Sequence, residues 1–256
     1  MRRYYKLAGL TVAVRTLYPE THRLWAAYRT DEETAAFAVE TRPSDLDLEA
    51  AQIAREAERD GTPVPCCSPG KLEQTAVYRK IAEGMLAYDR LVFHGSCVAV
   101  DGRGYLFAAR SGTGKSTHAA LWEELLGARA EIVNDDKPIL HIRADGVTAY
   151  GTPYNGKHRR GRNMAAPLSA VCLLERAAEN RIAPIPREQA YPLLVQQAYR
   201  PRNALLLERT MRLIDRLSRC VRLYRLGCTP ELSAAEAAWN AMGGEEDETE
   251  QRFSGP

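Results

Sequence analysis

Residues 105–127 read YLFAARSGTGKSTHAALWEELLG, and this stretch decides the fold. Its apolar start predicts a β-strand, and the amphipathic run from Lys115 to Leu126, ended by Gly127, predicts an α-helix. The glycine-rich segment between them lies where backbone N–H groups and the helix dipole can hold phosphate. Strand, glycine-rich loop and helix in this order predict a phosphate loop at Ser111–Thr117.

Each residue type in this loop suits its position for a chemical reason. Gly112 and Gly114 allow the backbone to curl around anionic oxygens without a Cβ clash. The Lys115 ammonium can reach the β- and γ-phosphates of a nucleotide, and the Ser116 hydroxyl can ligate magnesium. The strict pattern has glycine where this chain has Ala109, a residue small enough for the turn. The loop therefore predicts ATP and Mg²⁺ as cofactors. The loop residues predicted to hold the nucleotide are Ser111, Gly112, Thr113, Gly114, Lys115, Ser116 and Thr117.

Composition narrows the class of protein. The 256 residues are 45% apolar and 27% charged, so the chain can bury a full core. Its apolar runs fall short of the roughly 20 residues that span a bilayer, and its start does not form a signal core, so we expect a cytoplasmic protein without a membrane partner. The formal charge of +2 is too small to indicate nucleic acid. The six cysteines lack paired CxxC spacing, which predicts reduced thiols and no zinc site.

The front of the chain reads as a small α+β region covering residues 1–88. Strands are expected at Tyr4–Thr16 and Thr34–Arg42. Helices are expected at Leu46–Arg59 and Lys71–Tyr88, separated by a stretch rich in proline and glycine. This region is a candidate for recognition of the acceptor.

Residues 89–242 form the predicted catalytic region, and residues 243–256 form an acidic flexible tail. Strands and helices that alternate along residues 89–242 predict an α/β fold. Strands are expected in AEIVN, PILHIRA, VTAYG, LSAVCLLER and RLYRLGC, with a hairpin turn at Asp145–Gly146. Helices are expected at Arg187–Tyr199, Asn203–Arg219 and Pro230–Met242.

Two adjacent acids, Asp135 and Asp136, begin 20 residues after Lys115. They follow the predicted strand AEIVN, which comes directly after the loop helix, so we expect this strand to carry them back beside the nucleotide. A kinase needs a carboxylate that holds magnesium and a base that accepts the proton of the acceptor. Adjacent residues of a strand point to opposite sides, so the two carboxylates can take different roles. A solvated pair at a strand end is the alternative interpretation.

His94 ends the apolar segment LVFH. A single histidine in such a place is commonly a hydrogen-bonded core residue. Beside an aspartate, however, the imidazole can orient a proton acceptor. Both interpretations stay open from the residues alone.

The run FHGSCVAVDGRGYLFAARSGTGKSTHAALWEELL and the later EIVNDDKPIL resemble the catalytic domain of HPr kinase/phosphorylase. The shared features are the histidine-glycine strand, the SGxGKS loop and the acid pair, and the likeness spans about Leu91 to Arg176. The resemblance implies an α/β fold of the phosphate-loop (P-loop) HPr kinase/PEP carboxykinase-like type. The chain is similar to smaller HPr-kinase-like proteins, some of which phosphorylate a serine of a ribosomally made peptide, such as a lasso peptide precursor. The resemblance therefore implies an ATP-dependent kinase whose partner is a peptide or protein with an acceptor serine.

Carried over by position, the resemblance implies that Lys115 contacts phosphate and that Ser116 and Asp136 hold magnesium. It also implies that Asp135 acts as the base, with His94 beside it. The glutamate-containing signature of the bifunctional enzymes is absent from VTAYGTPYNGKHRRGRN. This departure argues against reverse phosphorolysis and against HPr itself as the substrate. PEP carboxykinase activity is rejected, because the enzymes with that activity have a far longer chain and further metal ligands.

The segment Thr152–Asn163 gathers five basic residues among glycine and asparagine. Such a loop can close as a lid over nucleotide phosphates or over an acidic acceptor, although basic loops are often only solvated. Lys157 and Arg162 are the expected contacts to phosphate, because nucleotide phosphate needs neutralisation.

Three alternatives to a peptide kinase stay open. The chain can be a nucleotide-sensing module without phosphotransfer, a kinase of a small molecule, or a slow NTP hydrolase. A homo-oligomer is also left open, because oligomeric state does not follow from these residues.

Overall fold

A computed structural model describes residues 2–156 and 159–243. The chain divides into two units, Met1–Tyr88 and Asp89–Pro256. The prediction for Lys157 and the prediction for the tail beyond Gly243 lie outside the described residues. Within the described part of the chain, no helix combines the length and the apolar character that a membrane crossing requires.

The first unit contains a three-stranded sheet in the order β1-β2-β3. The predicted single strand Tyr4–Thr16 is wrong in one respect, because Ala8 and Gly9 break it into a hairpin. Both have positive φ, at 47° and 78°, as tight hairpin turns require. The strands are β1 Arg2–Leu7, β2 Leu10–Arg15 and β3 Phe37–Glu40, the last parallel to β2.

The helices of this unit begin where the chain offers capping groups. The second helix begins at Pro43, earlier than predicted, because the Arg42 N–H donates to Asp45 Oδ2 at 2.8 Å and proline suits the first helical position. The third begins after Ser68, whose hydroxyl accepts from the Lys71 N–H at 3.3 Å. The helices are α1 Glu20–Leu24, α2 Pro43–Asp60 and α3 Pro69–Leu86, with a 3-10 turn at Ala26–Tyr28.

The second unit is built on a curled nine-stranded mixed sheet. Seven strands follow the order β4-β8-β9-β10-β6-β5-β7, and β12 joins β10 and β11. The strands are β4 Arg90–Val92, β5 Ser96–Val100, β6 Arg103–Ala108, β7 Ala130–Asn134, β8 Ile139–Ile142, β9 Val147–Tyr150, β10 Ala165–Arg176, β11 Arg181–Pro184 and β12 Arg222–Cys228. The five strands predicted after the loop helix and the hairpin between β8 and β9 are confirmed. The sequence patterns missed β11.

Three neighbouring strands of this sheet run parallel and end at one edge. Cys172 of β10 lies opposite Phe107 of β6 and opposite Tyr224 of β12. The carboxyl ends of β6, β10 and β12 therefore meet, and the phosphate loop leaves β6 at that edge. Ligand sites in α/β sheets lie at such carboxyl ends.

Aromatic packing fixes the loop helix on the sheet. The Trp122 ring is fully buried and lies 5.0 Å from the Phe107 ring, 5.1 Å from Tyr105 and 5.6 Å from Trp239, centroid to centroid. Truncating Trp122 to alanine would cost about 3–5 kcal/mol of folding free energy. The helices are α4 Lys115–Leu126, α5 Arg187–Gln197, α6 Ala204–Cys220 and α7 Leu232–Met242, which confirms the predicted helices to within a few residues.

Candidate active site

The phosphate loop has the backbone that the glycine pattern predicts. Gly112 and Gly114 have φ of 78° and 119°, values that side chains with a Cβ rarely adopt. Ala109, which replaces the glycine of the strict pattern, is buried and does not have positive φ. This explains why alanine is accommodated there.

Lys115 and Ser116 begin α4 directly after the loop. Lys115 is only 7% exposed, and its ammonium donates to the carbonyl oxygens of Ala109, at 3.0 Å, and Arg110, at 3.3 Å. Burial lowers the pKa of Lys115, and the nearby Asp136 carboxylate opposes that shift. The Ser116 hydroxyl donates to the backbone oxygen of Asp135 at 3.2 Å, which fastens α4 to the end of β7.

Asp135 is the first acid after β7, and it is only 2% exposed. Its Oδ1 accepts the backbone N–H of Gly156 at 2.6 Å. Its Oδ2 is buried and has no hydrogen-bond partner among residues 2–156 and 159–243. A buried carboxylate oxygen without a partner is costly, and Asp135 is one of the residues that line the cleft described below.

Asp136 lies beside His94, whereas the resemblance implied His94 beside Asp135. His94 Nε2 is 3.5 Å from Asp136 Oδ1, and the Lys137 ammonium is 2.9 Å from Asp136 Oδ2. The reason is backbone pairing, because the Gly95 N–H donates to the Asp136 carbonyl at 2.9 Å and draws the two segments together. Burial lowers the pKa of His94, and the Lys115 charge lowers it further.

Asn134 organises the acid pair, a role that its residue type alone did not predict. Its side-chain oxygen accepts the backbone N–H groups of Asp136, at 2.9 Å, and Lys137, at 2.7 Å. Its amide nitrogen donates to the carbonyl oxygen of Thr152 at 3.2 Å. An asparagine at a strand end directly before two acids is the signal that could have indicated this turn.

The loop after β9 packs closely against Asp135. A Cβ added at Gly156 would lie 3.1 Å from Asp135 Oδ2, so only glycine lets the backbone N–H approach this carboxylate comfortably. Asn155 donates to the Thr152 carbonyl at 3.1 Å, which holds the turn before Gly156. Asn155 and Gly156 therefore form part of the wall of the site.

The basic residues of the same loop separate into two groups. Arg160 pairs with Glu123 at 3.2 Å, and Arg162 pairs with Glu131 at 2.5 Å. The structure does not bring Arg162 into the cleft that holds the acids, and its contact with phosphate stays a prediction. Arg159, with φ of 50°, lines that cleft instead.

One cleft of about 770 Å³ brings most of the predicted site residues together. Thr113, which was also predicted to hold the nucleotide, does not line this cleft. It lines two neighbouring hollows instead. The cleft is lined by His94, Ser111, Gly112, Gly114, Lys115, Ser116, Thr117, Asp135, Asp136, Asn155, Gly156 and Arg159.

The donor set of this cleft fits Mg²⁺. A hydroxyl and two carboxylates, from Ser116, Asp135 and Asp136, are the hard oxygen donors that Mg²⁺ prefers. No group of three or more His, Cys, Asp or Glu side chains within the described ranges could hold a metal. A magnesium ion here would therefore share its coordination with water and nucleotide phosphates, as is usual for this ion.

A second hollow of about 440 Å³ lies against the phosphate loop. We call it the Cys228 groove. It shares Gly112, Gly114 and Thr117 with the cleft, so the loop forms a ridge between the two. Its further walls include Leu121, Arg176, Ala177, Cys228 and Pro230.

His118 lines the Cys228 groove with an unused donor. Its Nε2 must accept the Trp122 indole N–H at 3.2 Å, because indole can only donate. The proton therefore sits on Nδ1, which is buried and has no partner among the described residues. Burial lowers the pKa of His118 to about 4, so the ring is neutral near pH 7.

The fold and the cleft define a mixed α/β protein whose sheet carries a glycine-rich strand, loop and helix beside an acid pair. The family model described as SynChlorMet cassette protein ScmC matches residues 72–217, more than half of the chain. The chain belongs to this ScmC family. A comparison with curated proteins gives no match.

Among solved structures, the chain is similar to one described as the Hpr(Ser) kinase/phosphatase from Coxiella burnetii. The two share 12% sequence identity and a TM-score of 0.36, over 64% of this chain and 99% of that chain. A similarity of this extent carries no functional argument, so the proposed function rests on this chain's own residues.

Proposed function

We propose that this protein is an ATP-dependent kinase that transfers the γ-phosphoryl group to a serine hydroxyl of a peptide or protein. One observation carries the proposal. A single cleft is lined by Lys115 and Ser116, at the end of the phosphate loop, and by the buried residue Asp135. One carboxylate oxygen of Asp135 has no hydrogen-bond partner among the described residues. These are the groups that bind a polyphosphate and accept a proton from a hydroxyl.

The phosphate chain of ATP binds along the loop. Backbone N–H groups of the loop surround the anionic oxygens, and Lys115 leaves its two carbonyl partners to contact the β- and γ-phosphates. Arg159, which lines the same cleft, adds a second positive charge. Ser116 and Asp136 would hold Mg²⁺, which neutralises charge on the β- and γ-phosphate oxygens when bound.

Asp135 is the base of this proposal. The Gly156 N–H fixes Oδ1, which leaves Oδ2 to accept a hydrogen bond from the acceptor hydroxyl. As the acceptor oxygen bonds to the γ-phosphorus, the bond from that phosphorus to the bridging oxygen of ADP breaks. The hydroxyl proton moves to Asp135 Oδ2, so the products are ADP and a phosphoserine.

His94 acts through Asp136 in this arrangement. Its Nε2 lies 3.5 Å from Asp136 Oδ1, while Lys137 approaches the other oxygen of the same carboxylate. The two groups restrict the rotation of that carboxylate, as groups behind a metal ligand commonly do. We therefore assign His94 a positioning role.

The Cys228 groove receives the nucleoside part of ATP. Apolar walls from Leu121, Ala177 and Pro230 suit a flat base, and the His118 Nδ1–H can donate to a ribose or base acceptor. The ridge formed by Gly112 and Gly114 lets one elongated ligand lie in both hollows. A nucleoside triphosphate has this shape, with an anionic end and a less polar end.

The direct test measures label transfer from γ-labelled ATP to serine peptides with Mg²⁺ present. Wild-type protein should label a peptide hydroxyl, and Lys115→Met should weaken MgATP binding about 10- to 100-fold, since hydrogen bonds between charged groups are lost. Lys71→Met, an exposed lysine at the start of α3, is the matched control and should change nothing. If MgATP binds but no peptide is labelled, the result supports a nucleotide-binding module without phosphotransfer. Absence of MgATP binding would overturn the proposal.

A further inference from the structure

A third hollow, of about 320 Å³, also borders the phosphate loop. We call it the arginine hollow. Three arginines line it, from the loop, from the end of β10 and from β12. They are Arg110, Arg176 and Arg225. Glu175 is the acidic residue in its wall, so the ionised side chains of the hollow carry a net charge of about +2.

These arginines differ from those of the loop after β9. Arg160 and Arg162 each have a carboxylate partner. Within residues 2–156 and 159–243, the three arginines of the hollow form no salt bridge, and Arg176 donates only to the Gly112 carbonyl, at 2.5 Å. Like charges gathered in one hollow repel each other, so an anion that enters it is stabilised.

The position of the hollow points to the acceptor side of the reaction. Loop residues Ser111 and Lys115 line the cleft for phosphates, whereas Arg110 and Thr113 line the arginine hollow. The His94 N–H donates to the carbonyl of Gln197, a wall residue of the hollow, at 2.8 Å. A ligand in the hollow therefore lies next to the segment that carries His94.

The walls favour a peptide over a bare inorganic anion. Leu173 and Leu193 present apolar surface, and Gln196 presents an amide that can both donate and accept. Leu173 and Arg225 lie opposite each other in the pairing of β10 with β12, so both point to the α5 side of the sheet. Guanidinium groups beside apolar surface and amides suit an acidic side chain attached to a peptide backbone.

We propose that the arginine hollow binds an acidic residue that flanks the acceptor serine. The protein is then a kinase for serines in acidic peptide segments. This inference rests on the proposed function, because it concerns the acceptor of the same reaction. It assigns Arg225, together with Arg110, to selection of the acceptor.

The test uses the full-length protein, MgATP and a library of serine-centred peptides in which each flanking position is varied. Wild-type protein should phosphorylate peptides with Asp or Glu at one flanking position about tenfold more efficiently than peptides with Asn or Gln there. Arg225→Glu should abolish this preference and favour Lys or Arg. Arg181→Glu is the matched control, because Arg181 is an exposed arginine on β11 outside the hollow, and it should keep the acidic preference.

Each outcome decides a different claim. An unchanged acidic preference in Arg225→Glu, or labelled products without acidic preference, would overturn this inference and leave the kinase proposal intact. Absence of any labelled peptide would overturn both. If Arg225→Glu does not fold, the wild-type protein still gives a test, because raising ionic strength should reduce labelling of acidic peptides more than that of neutral ones. Equal salt sensitivity of the two peptide classes would contradict the inference.

Discussion

Two buried carboxylates, one in each unit, differ in how completely they are hydrogen-bonded. Glu73 of the first unit is 0% exposed, and its oxygens accept the N–H groups of Leu17, at 2.6 Å, and Tyr18, at 2.9 Å, and the Thr41 hydroxyl. Asp135 of the second unit is 2% exposed and has a partner on only one oxygen among the described residues. A fully bonded buried acid stabilises a fold, whereas a half-bonded one retains capacity for a ligand or a proton.

Two buried histidines repeat the same difference. His22 in the first unit contacts the Tyr5 hydroxyl at Nδ1, at 2.6 Å, and the Thr16 hydroxyl at Nε2, at 2.9 Å. His118 in the second unit uses Nε2 for Trp122 and leaves Nδ1 unpartnered within the described ranges. Residue type and burial are therefore alike in the two units, whereas the hydrogen bonding of these two histidines differs.

The largest expected effect comes from Asp135→Asn. This change keeps the shape of the side chain and the Gly156 contact but removes the base, so phosphoryl transfer should fall by about 10²- to 10⁴-fold. Affinity for MgATP, measured by calorimetry, should stay within about threefold of the wild-type value, since the phosphate loop is intact. Steady-state labelling with γ-labelled ATP gives the rate.

Asp136→Asn is the companion variant that separates the two acids. It should weaken MgATP binding, and added magnesium should partly restore that binding, because Asp136 is proposed to bind the metal. If instead Asp135→Asn shows the magnesium-dependent loss of affinity and Asp136→Asn shows only the loss of rate, the two roles are exchanged.

Glu73→Ala should destabilise the first unit. Removing the carboxylate leaves the Leu17 and Tyr18 N–H groups without their acceptor, at a cost of about 2–4 kcal/mol in the free energy of unfolding. Glu58→Ala, at an exposed position of α2, should change that free energy by less than about 0.5 kcal/mol. Denaturant melts followed by circular dichroism measure both. Equal stability of the two variants would remove the contrast with Asp135.

Histidine 118 should make stability dependent on pH. Burial lowers its pKa from 6.5 to about 4, so between these values the unfolded chain binds a proton that the folded chain excludes. Its contribution to stability is therefore complete above about pH 6.5 and falls by about 1.4 kcal/mol per pH unit as pH decreases toward 4. In His118→Gln, unfolding free energies measured across this range should lose that slope. An identical slope in the variant would show that other groups cause it.

The smallest expected effect concerns the Cys228 groove. Ala177→Trp fills the groove and should weaken MgATP binding about tenfold, through lost contacts to the nucleoside. Binding of magnesium tripolyphosphate should be unchanged, because this ligand has no nucleoside. MgATP should also protect the half-buried Cys228 thiol from alkylation, followed by mass spectrometry. Equal losses for both ligands would place the nucleoside elsewhere.

The predictions from sequence were accurate where the interactions are local. Helix α4 begins at Lys115 and ends at Leu126 as predicted, because glycine punctuation and helical periodicity act within a few residues. Strand β7 ends at Asn134 for a similar reason, and the two acids follow it into the cleft. The hairpin at Ala8 and Gly9 was missed because alanine rarely adopts positive φ.

The predictions were incomplete where distant segments meet. The expected partner of His94 was Asp135, but pairing of Gly95 with the Asp136 backbone brings Asp136 to it. Arg162 was expected at phosphate, yet it pairs with Glu131 of β7. Such pairings depend on which strands become neighbours, and no local pattern encodes that.

The sequence by itself determined the phosphate loop, the helix behind it and the presence of two acids at the end of the next strand, because backbone conformation and strand–helix periodicity act over short range. Only the tertiary structure decided that Asn134, Thr152 and Gly156 surround the acids, and that one oxygen of Asp135 has no partner in the described part of the chain. These contacts join segments about 20 residues apart through close packing against β7. Hydrogen-bond satisfaction is a property of the packed chain, so it cannot be read from residue types along the sequence.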